Sequence, residues 1–278
     1  KLEHEGFTAW GEAALPPYLL ETQKSVIEFF TAFSENNLSN SIDDWFARLK
    51  DKSENICAKA ALDMALWDLK SQLENKSIAE LLGIDSDKKS KSVFPLAAYT
   101  LGISSFDEMK LKIEEAKNFG FQFFKIKLNG ENDEEVISNF KKLSDDSYAV
   151  DINGGWKNAD EAMRKINWLA KHECLFVEQP LPKNSLDEMK LLKEKSALPL
   201  YADESCQRLS ALESLQACHD GVNIKLMKCG GITEAHQMIL KARKLYFEIL
   251  IGCMSESSVG CSAAAQFTPV ANFADLDG

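Results

Sequence analysis

The chain has 278 residues, of which 45% are hydrophobic and 27% charged, a globular composition large enough for one big domain or two smaller ones. With 32 basic residues against 43 acidic ones the formal net charge is -11, which makes nucleic acid and anionic membrane surfaces poor partners and a small molecule the expected one. Seven cysteines without a CxxC pair point to reduced thiols in a cytoplasm, and four histidines in no ligand spacing argue against zinc or histidine-base chemistry.

In chain order, KLEHEGFTAWGEA reads as a short strand pair, followed by helices at about 21–34, 41–50 and 55–74. The last of these, ENICAKAALDMALWDLKSQL, sets Ile56, Ala60, Met64 and Trp67 along an apolar stripe beside Ala61, Ala65 and Leu69, so it is expected to pack. The polar junction KSKSV then closes a first unit. From FPLAAYTLG onward, strands expected at 94–100, 123–128, 147–152, 174–178, 199–203, 222–226, 247–252 and 272–277 recur about every 25 residues. Stretches of helical period such as FDEMKLKIEEAKNFG and ADEAMRKINWLAKHE lie between them. Eight even strand-helix repeats predict a closed parallel (β/α)8-type barrel rather than a doubly wound open sheet. The expected organisation is thus an α+β capping domain over 1–92 and a barrel domain over 93–278, with both ends incomplete. No apolar run approaches a membrane span, and no phosphate-cradling glycine motif is present.

Side chains in a strand alternate between two faces. In FFKIKL, Phe124, Ile126 and Leu128 share one face and leave Lys125 and Lys127 on the other. The same parity turns Asp151 and Asn153 inward against Val150 and Ile152, Glu178 inward against Leu175 and Val177, and Asp203 inward with Tyr201 against Leu200 and Ala202. In VNIKLMK it sets Asn223, Lys225 and Met227 opposite Val222, Ile224 and Leu226, and in ADLD it sets Asp275 with Asp277. A lone aspartate at a strand end is usually a cap and a lone KxK usually a solvated edge. Charges at the C-terminal ends of five consecutive strands and of the eighth are not explained that way. Asp151, Glu178 and Asp203 form the hard-oxygen set that suits Mg²⁺, and Lys127 and Lys225, on either side of them, suit two acid/base groups acting on a carbon between them. Glu204 reads as a capping or metal-proximal group and Lys228 as a solvated one.

The motifs KIK (125–127), DINGGW (151–156), VEQP (177–180), ADES (202–205) and NIKLMKCGG (223–231) resemble the successive strand ends of the enolase superfamily, muconate-lactonizing subgroup. GEA (11–13) and AALDMALWDL (60–69) resemble that family's capping domain, so the likeness runs over nearly the whole chain. The resemblance implies an enolase-like modified TIM barrel and one Mg²⁺ per subunit on Asp151, Glu178 and Asp203, with Mn²⁺ able to replace it. It makes Lys127 and Lys225 the two bases that remove and return a proton α to a carboxylate. It implies that Lys125 neutralises that carboxylate and that Asn153 sits close to the metal. A lysine acting as base must titrate below its ordinary value, and the nearby metal and ammonium groups are expected to lower it. Within the subgroup, Asp275-Leu276-Asp277 resembles the ammonium clamp of dipeptide epimerases, enzymes of peptidoglycan peptide metabolism. GCMSESSVG resembles the seventh-strand end, where Ser255 and Glu256 contact substrate or cap a loop. The family's specificity loop is expected to precede Lys1. A dipeptide substrate, a cytoplasmic setting and no nucleic-acid or membrane partner are expected; a homo-oligomer is allowed. The competing functions are an o-succinylbenzoate synthase, N-acyl amino-acid racemase or muconate cycloisomerase, which have no ammonium to clamp. A non-catalytic metal-binding barrel would have no use for two lysines facing the metal.

Overall fold

The structure is a computed structural model that describes residues 1–35, 41–84 and 96–277. The 92/93 domain boundary, the KSKSV junction and the first two residues of the first expected barrel strand lie outside the described residues. The chain opens with a two-stranded antiparallel hairpin, β1 (Leu2–His4) and β2 (Phe7–Ala9). Its two-residue turn puts Glu5 at φ 48° and Gly6 at φ 85°, the left-handed pair that matches the twist of a tight hairpin.

Helices α1 (Gln23–Glu35), α2 (Ile42–Lys50), α3 (Ile56–Glu74) and α4 (Ile78–Leu81) complete the first unit. The stripe expected on α3 is wider than one face. Ala58, Leu62 and Leu66 pack with Val26, Phe29 and Phe33 of α1, whereas Cys57, Ala60 and Met64 join the core on the barrel side. Even Lys59 and Asp63 are buried, because α3 is sandwiched between the other cap helices and the barrel.

The barrel strands are β3 (Leu96–Leu101), β4 (Phe123–Lys127), β5 (Ser147–Asp151), β6 (Val177–Glu178), β7 (Leu200–Ala202), β8 (Gly221–Lys225), β9 (Glu248–Gly252) and β10 (Phe273–Asp275). They close in the order β10-β3-β4-β5-β6-β7-β8-β9, every pair parallel. All eight strands stand where the sequence predicts them. The intervening helices are α5 (Phe106–Asn118), α6 (Asp133–Leu143), α7 (Ala159–Lys171), α8 (Leu186–Lys195), α9 (Leu212–Leu215), α10 (Leu226–Cys229), α11 (Ile232–Lys244) and α12 (Ser258–Ala265).

The barrel interior is divided by height. Ala98, Phe123, Ala149, Phe176, Tyr201 and Leu250, with Phe273 against them, fill the lower layer. Two residues further along, the chain carries Lys125, Asp151, Glu178, Asp203 and Asp275, with Thr100 after Ala98 and Gly252 after Leu250, so apolar packing ends where the polar site begins. Outward residues Phe124, Ile126, Val150 and Val177 pack against helices. Among the described residues no helix is long and apolar enough to cross a membrane.

Candidate active site

The parity rule places the carboxylates of Asp151, Glu178 and Asp203 together: one oxygen from each lies within 4.8 Å of the others, and all three residues are buried. Lys127 Nζ donates to Asp151 Oδ2 at 2.6 Å and to Asn153 Oδ1 at 3.2 Å. Across the group, Lys225 Nζ donates to Asp203 Oδ2 at 2.9 Å. Asn153, at φ 47°, turns its backbone N–H back onto Asp151 Oδ1 at 3.0 Å and its amide onto Glu204 Oε1 at 2.8 Å. Asn223 donates to Glu178 Oε1 at 2.6 Å, while Glu178 Oε2 accepts no hydrogen bond although Lys125 Nζ stands 3.3 Å away.

Lys125 is fully buried and bonds Asp275 Oδ2. The other Asp275 oxygen accepts the Thr100 hydroxyl at 2.8 Å, and Asp277 Oδ2 accepts the Thr100 backbone N–H at 2.5 Å. Above these groups lies a cavity of about 580 Å³ whose lining includes Lys125, Lys127, Lys225, Asp203, Asp275 and Asp277, a volume suited to a small substrate. Its apolar side is formed by Ala14, Leu15, Pro16 and Pro17 from the cap and by Met254. Ser255 lines the cavity. Glu256 does not: it is buried, and its Oε1 accepts the Met254 backbone N–H at 2.8 Å.

One lysine reading is corrected. Lys228 is 3% exposed rather than solvated. The strand ends at Lys225 and a helical turn, Leu226–Cys229, follows, so Met227 packs outward into the core and Lys228 swings back beneath the site. There its ammonium donates to Asp203 Oδ1 at 2.5 Å, Asp203 O at 2.8 Å and Asn223 O at 2.9 Å. The protein's own carboxylates act on Lys225 in the sense opposite to that expected of a metal and of ammonium neighbours. Burial lowers it, but Asp203 and its neighbours outweigh burial and hold the ammonium above the usual lysine range. The carboxylates do the same more strongly to Lys125, overcoming its burial.

Sequence reasoning passed over Gln179 and Thr100. Gln179, buried at φ 40°, accepts the N–H groups of Asp203 and Ser205 at 3.1 Å each and so fixes the loop that carries a metal-site carboxylate. A glutamine inside the apolar run LFVEQPL was its only trace. Thr100, a common strand residue, left none.

Residues 1–83 match the family described as "Mandelate racemase / muconate lactonizing enzyme, N-terminal domain", and residues 108–276 match "Enolase C-terminal domain-like". The chain belongs to the enolase superfamily. It is 38% identical over 281 residues to an L-Ala-D/L-Glu epimerase of Bacteroides thetaiotaomicron, covering all of this chain and 72% of that protein. It is 35% identical to a hydrophobic dipeptide epimerase of Roseobacter litoralis, over 99% of this chain and 80% of that protein. A crystal structure of a dipeptide epimerase from Enterococcus faecalis, complexed with Mg and L-Leu-L-Tyr, superposes with a TM-score of 0.87 at 28% identity, over 98% of this chain and 79% of that one.

The enolase-superfamily barrel here fits a divalent cation on its own chemistry. Burial and the adjacent Asp151 push the Glu178 carboxyl up to about 7 against the pull of Lys125, and its second oxygen lacks a donor. These are the signs of crowded carboxylates that a hard cation would neutralise.

Proposed function

We propose that the protein is a Mg²⁺-dependent dipeptide epimerase that inverts the α-carbon of the C-terminal residue of a dipeptide such as L-Ala-L/D-Glu. The observation that carries this reading is the pair of ammonium groups, Lys127 and Lys225, on opposite sides of one carboxylate cluster, with Asp275 and Asp277 beyond them in the same cavity. Asp151, Glu178 and Asp203 would hold the cation, which when bound supplies Lewis-acid polarisation of the substrate carboxylate. Lys125 sets a fixed positive charge beside that carboxylate, where negative charge grows as the α-proton leaves. The neutral form of one of the two lysines takes that proton, and the ammonium of the other delivers a proton to the opposite face. Asp275 and Asp277 bind the substrate's own ammonium. Seven thiols without a disulfide among them support a cytoplasmic setting.

The test is incubation with L-Ala-L-Glu in D₂O with Mg²⁺, following both the epimer ratio and deuterium at the C-terminal α-carbon. The protein should epimerise and exchange together. Lys127→Ala and Lys225→Ala should each abolish epimerisation, and each should keep exchange only from the epimer whose proton faces the surviving lysine. A single-lysine variant that still interconverts both epimers would refute the two-base reading.

A further inference from the structure

We propose that Thr100 is a positioning residue for Asp275 and Asp277, and through them sets the preference of the cavity for a substrate with a free amine. The inference rests on the dipeptide reading above.

The ladder between β3 and β10 pairs only Leu96 with Phe273 and Ala97 with Ala274. Past Ala274 the two strands no longer match backbone to backbone, and side chains take over. The Thr100 N–H, which has no β10 carbonyl in that ladder, goes to the Asp277 carboxylate. Its side chain follows the parity of Ala98 into the barrel, beside its register partner Lys125. From there the hydroxyl reaches Asp275 at 2.8 Å. One residue thus orients two carboxylates through two independent donors.

Those two carboxylates repel each other, and burial together with Asp275 raises Asp277 above the usual carboxylate range. Asp275 has a second donor in Lys125, but that ammonium is shared: it also lies 3.3 Å from Glu178 and 3.7 Å from Asp151. When a substrate carboxylate draws on Lys125, the Thr100 hydroxyl becomes the donor that still holds Asp275 toward the incoming ammonium. Valine at this position would fill the same space in a strand and leave the backbone bond to Asp277 intact. It would delete only the hydroxyl.

The experiment measures epimerisation of L-Ala-L-Glu by the unaltered chain, Thr100→Val, Thr100→Ser, Asp275→Ala and the Thr100→Val/Asp275→Ala double variant. N-acetyl-L-Ala-L-Glu serves as parallel substrate or competitive inhibitor. Thr100→Val should raise KM for the free dipeptide about tenfold, the equivalent of one hydrogen bond to a charged group. Its kcat should change less, and the acetylated compound should bind as before. Thr100→Ser, which keeps the hydroxyl, should stay within about twofold, and in the Asp275→Ala background, which removes the acceptor, Thr100→Val should have no further effect, the non-additivity expected of residues acting through one contact. Circular dichroism and thermal midpoints check folding, and Thr100→Ala replaces Thr100→Val in the comparison if the valine does not fold. Unchanged kinetics of the hydroxyl-free variant, equal losses on free and acetylated dipeptide, or additive losses in the double variant would overturn the role of Thr100 while leaving the epimerase reading standing. If the unaltered protein turns over no free dipeptide, or prefers the acetylated one, the dipeptide reading fails first and this proposal falls with it.

Discussion

Replacing Lys228 by methionine keeps the length of the side chain and removes one buried charge. All three ammonium protons of Lys228 are committed, to Asp203 Oδ1, Asp203 O and Asn223 O, so the change takes this donor from two acceptors of Asp203 and from one on the strand that carries Lys225. Removing one partner of a buried ion pair costs about 3–5 kcal/mol, because the other charge stays behind. Lys225 still pairs with Asp203 Oδ2 at 2.9 Å, which places the expected loss at the low end, about 3 kcal/mol, a large share of the ~5–15 kcal/mol that holds a typical protein folded. For a chain of this size that is a fall in Tm of roughly 6–12 °C. The assay is guanidinium unfolding at pH 7 without divalent cation, with Lys225→Met beside it. Lys225 makes one hydrogen bond where Lys228 makes three. Lys225→Met should therefore destabilise less while abolishing epimerisation. A Lys228→Met protein within about 1 kcal/mol of the unaltered chain, or a Lys225→Met protein that loses as much, would refute the assignment of Lys228 as the structural partner of Asp203.

Two further expectations concern charge. Asp203→Asn, or treatment with a chelator, should remove epimerase activity, and titration calorimetry should show Mg²⁺ affinity in the variant down by tenfold or more; full turnover of chelator-stripped protein would end the metal reading. His219 is buried, and burial, followed by the charge of Lys193, pushes it down to about 4. The unfolded chain then binds this proton before the folded one does, so stability should fall as pH drops from about 6.5 toward 4, by about 3 kcal/mol from this group, and level off below. His219→Leu should flatten the stability curve over that interval, and an unchanged slope would show that other groups set it.

Most of the site was legible because strands obey a period of two: once the eight strands were placed, the inward positions of Asp151, Glu178, Asp203, Lys125, Lys127 and Lys225 followed. What escaped did so for physical reasons. Lys228 lies past the strand, where the period changes to that of a helical turn, so strand parity gives it no place in the site and it reads as solvated. Thr100 and Gln179 act through hydrogen bonds to residues 175 and 24 positions away, and a bond between two distant residues leaves no periodic trace in either neighbourhood. Glu256 shares a loop with Ser255 but folds back onto its own backbone, a choice decided by burial that sequence alone does not reveal.

The same blindness covers the way the cap holds the barrel. Helix α11 begins after Gly231 with no side-chain cap of its own. Asp63 of α3 supplies one instead, accepting the Thr233 N–H at 2.9 Å and its hydroxyl at 2.6 Å. Gly231 is required for closeness as much as for its φ of 116°, since a β-carbon there would come within 2.5 Å of the Asp63 carboxylate. On the next repeat, Glu12 of the cap accepts the Ser257 N–H at 2.8 Å, its hydroxyl at 2.7 Å and the Gly260 N–H at 3.0 Å, at the start of α12. Both helices begin a few residues after cavity-lining positions, α11 after Lys225 and α12 after Cys253, Met254 and Ser255. Carboxylates at helix N-termini are stabilising by charge as well as by hydrogen bonding, so the cap does more than wall the cavity with Ala14 to Pro17: it anchors the first turns of the two helices that follow Lys225 and the seventh-strand loop.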